Sequence, residues 1–156
     1  MKLDFKKLLL YLAIPLGVGG LAALLTGGGM GQYSDFAKPP YSPPGWLFPV
    51  AWTILYLLMG YASYRVVVAD GERVKKRRAL YLYGAQLAVN FLWPLVFFAF
   101  GWYLAAFFVL LVLWVLVFLC IYAFADVDEK AGDLLLPYIL WITFAAYLNV
   151  GVYLLN

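Results

Sequence analysis

The chain has 156 residues, of which 67% are hydrophobic and 12% charged, with 11 Lys and Arg against 8 Asp and Glu. A soluble domain is near half apolar and a quarter charged, so a water-soluble globule is excluded and lipid must solvate most side chains. The net charge of +3 is spread over short clusters rather than an amphipathic basic stripe, which argues against nucleic acid as a partner.

Five apolar runs follow one another, and they predict an all-α integral membrane bundle in a single domain, 1–156. The expected spans are about 7–26, 46–68, 79–100, 103–125 and 133–155. Each holds about 20 residues, enough at roughly 1.5 Å per residue to cross a ~30 Å hydrocarbon layer. The runs are continuously apolar rather than alternating, which excludes a β-barrel.

The first run, Leu8 to Leu25, follows Lys2, Lys6 and Lys7 and so resembles a signal peptide. It is long enough to span, and no A-x-A pattern ends it, so a retained helix is expected. Pro15, Gly17, Gly19 and Gly20 would break a soluble helix but are tolerated where neighbouring helices cover the backbone. Residues 27–45 form the one long loop. It opens on Gly27, Gly28, Gly29 and Gly31, and Pro39, Pro40, Pro43 and Pro44 make it stiff and non-helical. Long ordered loops commonly serve as lids, the role expected here for Pro39, Pro43 and Pro44.

The second span begins at Trp46 and ends at a basic turn holding Arg73, Lys75, Lys76, Arg77 and Arg78. The third and fourth spans meet at Gly101-Trp102, too short for anything but an antiparallel hairpin. An acidic turn, Asp126 to Asp133 with Lys130, leads to the fifth. Lys and Arg gather at the amino terminus, the basic turn and the acidic turn, while the opposite side carries only Lys38. The positive-inside rule then puts the amino terminus in the cytoplasm and the carboxyl terminus outside.

Histidine is absent and Cys120 is the one cysteine, which removes His-based catalysis, His or thiol metal sites, a His ligand to haem and any intrachain disulfide. No acid or base stands at the middle of a span, since Asp126 and Asp133 fall at helix ends. A proton-coupled exporter of hydrophobic compounds needs a buried carboxylate and ranks last for that reason. What remains is neutral and aromatic. Trp52, Tyr56 and Met59 share one helical face; so do Gln86, Asn90, Trp93 and Phe97; so do Tyr138, Trp141, Ala145 and Asn149. Singly, each residue is better explained by core packing than by a ligand site, and Gln86 and Asn90 by bonds across helices. Together, three spans aiming rings and amides inward beneath a Pro-rich loop describe an apolar, flat-walled pocket. Trp102, Tyr103 and Tyr153 lie at run ends and read as interfacial anchors. Gly84 and Ala88 are a small-xxx-small pair, suited equally to a dimer contact and to packing within the bundle.

Several motifs point further. Tyr33-Ser34-Asp35-Phe36-Ala37-Lys38-Pro39-Pro40-Tyr41-Ser42-Pro43-Pro44-Gly45-Trp46 resembles the first loop of the translocator protein family, also called tryptophan-rich sensory proteins or TspO/MBR. Phe48-Pro49-Val50-Ala51-Trp52-Thr53-Ile54-Leu55-Tyr56 continues the likeness. So do Gln86-Leu87-Ala88-Val89-Asn90-Phe91-Leu92-Trp93-Pro94 and Leu136-Pro137-Tyr138-Ile139-Leu140-Trp141. The resemblance, closest to bacterial-type members, implies a five-helix bundle in a bacterial cell membrane, commonly a homodimer. It implies a pocket beneath the first loop that takes porphyrins such as protoporphyrin IX and other apolar aromatic ligands, for tetrapyrrole sensing, handling or transport. The family's pocket residues match Trp52, Tyr56, Asn90, Trp93, Trp141, Ala145 and Asn149, and Trp46, Gln86 and Tyr138 complete the expected ligand-binding set. No cofactor is expected, the porphyrin being a ligand. Light-dependent oxidative degradation of the porphyrin, reported for some members, is the alternative, with Trp52 and Trp141 as its catalytic electron donors. The family's sterol motif needs a basic residue after its tyrosine. Leu154-Leu155-Asn156 follow Tyr153 instead, so sterol binding is not expected.

Overall fold

The computed structural model describes residues 2–27 and 29–156, so Gly28 of the glycine run lies outside the described residues. Seven α-helices follow in order: α1 (Phe5–Leu25), α2 (Met30–Asp35), α3 (Leu47–Val68), α4 (Arg73–Pro94), α5 (Tyr103–Val127), α6 (Glu129–Asp133) and α7 (Leu136–Leu155). No strand occurs among the described residues. Five helices are long and apolar enough to cross a membrane: α1, α3, α4 with the turn after it, α5, and α6 with α7. Leu24, Ile54, Phe108, Val112, Leu140 and Leu154 are among many large apolar side chains left exposed around the bundle. A surface of that kind is stable against lipid and not against water.

Local chemistry explains the ends. Asp4 caps α1 by accepting from Lys7 N at 3.2 Å, while its own N–H donates to the Tyr64 hydroxyl at 2.8 Å. Pro94 has no N–H to give the carbonyl one turn earlier, and its ring crowds that carbonyl. The chain answers by widening into a π-helical turn, Leu95–Ala99. Gly101 then takes a positive φ of 67°, and Trp102 N–H closes on Val96 O at 3.0 Å, which reverses the chain into α5. Asp128 caps α6, accepting from Lys130 N at 3.3 Å.

The loop differs from the stiff non-helical segment that its prolines predict. Within it Met30–Asp35 folds as the short helix α2, entered through Gly29 at a positive φ of 69°, and 36–46, where the prolines stand, is extended or turn. The acidic turn likewise holds the short helix α6.

Helix α1 rests on α3, where Gly60 removes a side chain: a Cβ there would meet Tyr11 O at 2.7 Å and Leu12 Cα at 2.9 Å. Helix α5 packs against α4 and α7. One end of the bundle is held by ions. Arg65 Nε donates to Asp128 at 2.6 Å, both side chains being less than a fifth exposed, and Arg78 reaches Asp126 at 2.9 Å. The other end carries the loop.

Candidate ligand site

Two polar staples tie α3, α4, α5 and α7 together inside the bundle. In the first, the Tyr56 hydroxyl donates to Asn90 Oδ1 at 2.9 Å, and Asn90 Nδ2 donates to the Tyr138 hydroxyl at 2.7 Å. Tyr138 donates onward to Gln86 Oε1 at 2.7 Å, and Gln86 Nε2 approaches the Met59 sulfur at 3.9 Å. In the second, Trp93 Nε1 donates to Asn149 Oδ1 at 2.9 Å, and Asn149 Nδ2 donates to Tyr103 O at 2.8 Å. Gln86, Asn90, Tyr138 and Asn149 are all buried. Their amides and hydroxyls are spent on partners within the bundle, as an apolar interior requires.

Above the first staple sits an aromatic seam. Trp52 stacks on Tyr56 with ring centres 5.6 Å apart and meets Tyr138 edge-on at 6.2 Å. Trp141 stands perpendicular to Trp52 at 6.4 Å and meets Phe48 at 5.8 Å. The α3 and α7 backbones scarcely approach each other, and these rings bridge the two helices. Ring contacts are separable in a way that interlocked backbones are not, because rotamers can move without unwinding a helix. Tyr56 also lies across α1: a Cβ on Gly19 would run into its ring. Among the polar atoms of this seam, Trp141 Nε1 is buried with no hydrogen-bond partner. An indole N–H offers one donor and nothing else, and no acceptor among the described residues reaches it.

The loop closes over the seam and is fastened on both sides. Tyr33 of α2 donates to Pro43 O at 2.6 Å, and its ring meets Phe48 at 4.8 Å. Burial pushes the Tyr33 phenol above its ordinary pKa, with Ser42 pulling the other way. Lys38 folds back to donate to Tyr33 O and Phe36 O, each at 3.0 Å, with its ammonium 4.9 Å from the Tyr33 ring centre. On the α7 side, Pro39 is buried in the notch of Gly151, where a Cβ would collide with the proline ring. Tyr147 donates to Pro40 O at 2.7 Å, and the Asn156 amide pairs with both backbone groups of Ala37.

Of the residues singled out from the sequence, Trp52, Tyr56, Gln86, Asn90, Tyr138 and Trp141 converge in one cluster, with Ala145 buried one turn further along α7. Trp93 and Asn149 form the neighbouring staple. Trp46 does not join them. It precedes the first turn of α3 and is 64% exposed. Pro43 lends its carbonyl to Tyr33, whereas Pro44 is exposed. Gly84 has nothing within 4 Å of a built Cβ, and Ala88 is exposed, so neither packs within the bundle. Phe48 belongs to the seam and was legible as the residue one turn before Trp52. Tyr147 and Asn156 hold the loop and carry no local signal of it.

Comparison with known proteins places these features in a wider setting. The TspO/MBR family model matches residues 11–155. The chain is 42% identical over 124 residues to a tryptophan-rich sensory protein of Cereibacter sphaeroides, covering 80% of this chain and 76% of that protein. It is 37% identical over 124 residues to the tryptophan-rich protein TspO of Chlorobaculum tepidum, covering 80% and 78%. With the human translocator protein it shares 35% identity over 146 residues, covering 91% and 85%.

Proposed function

The chain belongs to the TspO/MBR family of membrane proteins, and from that premise we propose that it binds a free-base porphyrin such as protoporphyrin IX, or a similar flat apolar ligand, between α3 and α7. The observation that carries the reading is the orphaned Trp141 Nε1, buried beside the ring contact of Trp52 and Trp141. A tetrapyrrole entering there would exchange ring–ring contacts for its own π-faces and supply an acceptor to the indole N–H through a propionate. Trp52 and Trp141, set at right angles, would grip a face and an edge. Asn90, Gln86 and Tyr138 form the floor, and the loop with Pro39 and Pro43 the roof. Titration of the purified protein with protoporphyrin IX in the dark, followed by tryptophan quenching, tests this. Saturable binding weakened in Trp52→Phe/Trp141→Phe supports the site. Saturable binding indifferent to both substitutions moves the ligand elsewhere.

A second reading rests on the edge contact between Trp52 and Trp141, a pair of oxidisable rings at 6.4 Å. Illuminated porphyrin would be oxidised by dioxygen, which takes up the electrons it loses, with the two tryptophans as transient electron donors that the porphyrin re-reduces. If Trp52→Phe/Trp141→Phe keeps dark binding but stops bleaching, the degradative role stands.

Two further features fit the same picture. The open Gly84 and Ala88 face suits a homodimer contact, which Gly84→Leu would break in light-scattering mass measurements. The Lys and Arg distribution supports a cytoplasmic amino terminus in a bacterial cell membrane, with the loop outside.

A further inference from the structure

Among the described contacts, helix α1 supplies no ring to the aromatic seam and no partner to the first staple. Of its 21 residues only Pro15 and Ala22 are buried, and Gly19 lies between them on the same face. The helix is seated on α3 at two patches of bare backbone. At the first, Pro15 has no N–H to give Tyr11 O, and that carbonyl is the atom a Cβ on Gly60 would meet at 2.7 Å. At the second, a Cβ on Gly19 would stand 2.6 Å from Tyr56 Cζ and 2.9 Å from its Cδ2, closer than real side chains approach. Gly17 and Gly20, on other faces of the same helix, have nothing within 4 Å of a built Cβ. The three neighbouring glycines therefore differ, and only Gly19 is bare for the sake of a ring.

The Tyr56 ring is engaged elsewhere too. Trp52 stacks on it with ring centres 5.6 Å apart, its hydroxyl donates to Asn90 at 2.9 Å, and Trp52 in turn stands against Tyr138 and Trp141. A methyl group on Gly19 would leave the ring two ways to yield. It could move toward Trp52, taking up the room that the rings need in order to part, or it could leave Asn90 and break the first staple. A broad rigid disc suffers from either, because it cannot narrow itself to fit. We infer, taking the seam as a porphyrin site, that Gly19 is a positioning residue that sets the width of that site. By carrying no side chain it lets Tyr56 lie against α1 and leaves the space between α3 and α7 open to a ligand as broad as a tetrapyrrole. It acts through the Tyr56 ring and not by touching the ligand.

Two measurements on the purified full chain test this: dark titration with protoporphyrin IX, and fluorine NMR of the ligand-free protein carrying a fluorotyrosine in place of Tyr56. Gly19→Ala should lower the affinity at least about fivefold and move the fluorine signal. Gly17→Ala and Gly20→Ala, the same change on open faces of the same helix, should do neither. An unmoved signal in Gly19→Ala, or an affinity equal to that of wild type, would overturn the assignment. An equal loss in Gly17→Ala or Gly20→Ala would overturn it as well, by making the effect one of α1 as a whole. Should Gly19→Ala fail to fold, Gly19→Ala/Tyr56→Ala should fold as Tyr56→Ala does, since the methyl group then has room. Failure of that pair where Tyr56→Ala folds would mean that Tyr56 is not the obstacle, and would sink the idea. If wild type binds no protoporphyrin IX, the porphyrin reading of the seam fails, and the fluorine signal alone decides whether Gly19 positions Tyr56.

Discussion

The side-chain amide of Asn156 reads the backbone of Ala37 at both of its groups, accepting from the N–H at 3.1 Å and donating to the carbonyl at 2.8 Å. The two residues are 119 positions apart, and the pair pins the middle of the loop to the end of α7. Both bonds are exposed, so each contributes modestly, about 0.5 kcal/mol. Asn156→Ala should therefore raise the opening of the loop about fivefold while leaving the bundle intact. Hydrogen exchange at the Ala37 amide measures it directly. Unchanged protection there would mean that Pro39 over Gly151 and Tyr147 on Pro40 hold the loop without help.

Asn90 occupies the centre of the first staple, between Tyr56 and Tyr138. In membrane bundles such bonds average about 0.6 kcal/mol and reach about 1.7 kcal/mol, because the separated helices find other partners. A double-mutant cycle with Asn90→Leu and Tyr138→Phe should give coupling within that range, toward its upper end because Tyr138 also serves Gln86. Unfolding in mixed detergent supplies the free energies. Coupling near zero would show that the staple is replaced on mutation by other bonds, with Gln86 turning to Asn90's place.

The convergence of these faces was legible because a 3.6-residue period survives even where every side of a helix is apolar. Trp52 with Tyr56, Gln86 with Asn90, and Tyr138 with Trp141 each stand a turn apart, and the fold gathers them. Pairing was not legible. Nothing in the spacing says that Asn90 bonds Tyr56 rather than a ligand, because partners are chosen by how three helices cross. Trp46 is the instructive departure. It lies six residues before Trp52, just short of the first turn of α3, and faces outward. Pro94 lies inside the expected third span, and the residues around it do not say whether a chain kinks, stops or widens into a π-turn there. The loop's glycines gave no hint of α2, whose Tyr33 is held by Pro43, Phe48 and Lys38, contacts that exist only after the loop has folded.

At the charged end, Arg65 and Asp128 are joined at 2.6 Å while mostly shielded from water, and Arg65 also donates to the Tyr61 hydroxyl at 3.3 Å. Asp128 has a second duty as the cap of α6. Asparagine caps as well as aspartate, so Asp128→Asn removes the ion pair and keeps the helix start. The loss should be that of one charged hydrogen bond, about 1.5–3 kcal/mol. Thermal unfolding of Asp128→Asn, Arg65→Gln and the pair together measures it. The double variant should lose little more than either single one. Additive losses would show that the two side chains act separately.

Trp141 carries a different sign in the two states of the site. Without ligand its buried Nε1–H has no acceptor, and an unsatisfied donor of this kind costs about 1–3 kcal/mol. With ligand, the same group makes a hydrogen bond in a dry environment. Replacing the indole by benzothienylalanine, which keeps the ring shape and puts sulfur in place of the N–H, separates the two effects from any change in packing. The ligand-free protein should unfold at the same temperature or higher, since a cost has been removed. Dark affinity for protoporphyrin IX should fall about tenfold, the equivalent of about 1.4 kcal/mol. The opposite pattern, lower stability with affinity unchanged, would mean that the N–H finds an acceptor within the bundle and that the ligand ignores it. The seam would then act by shape alone.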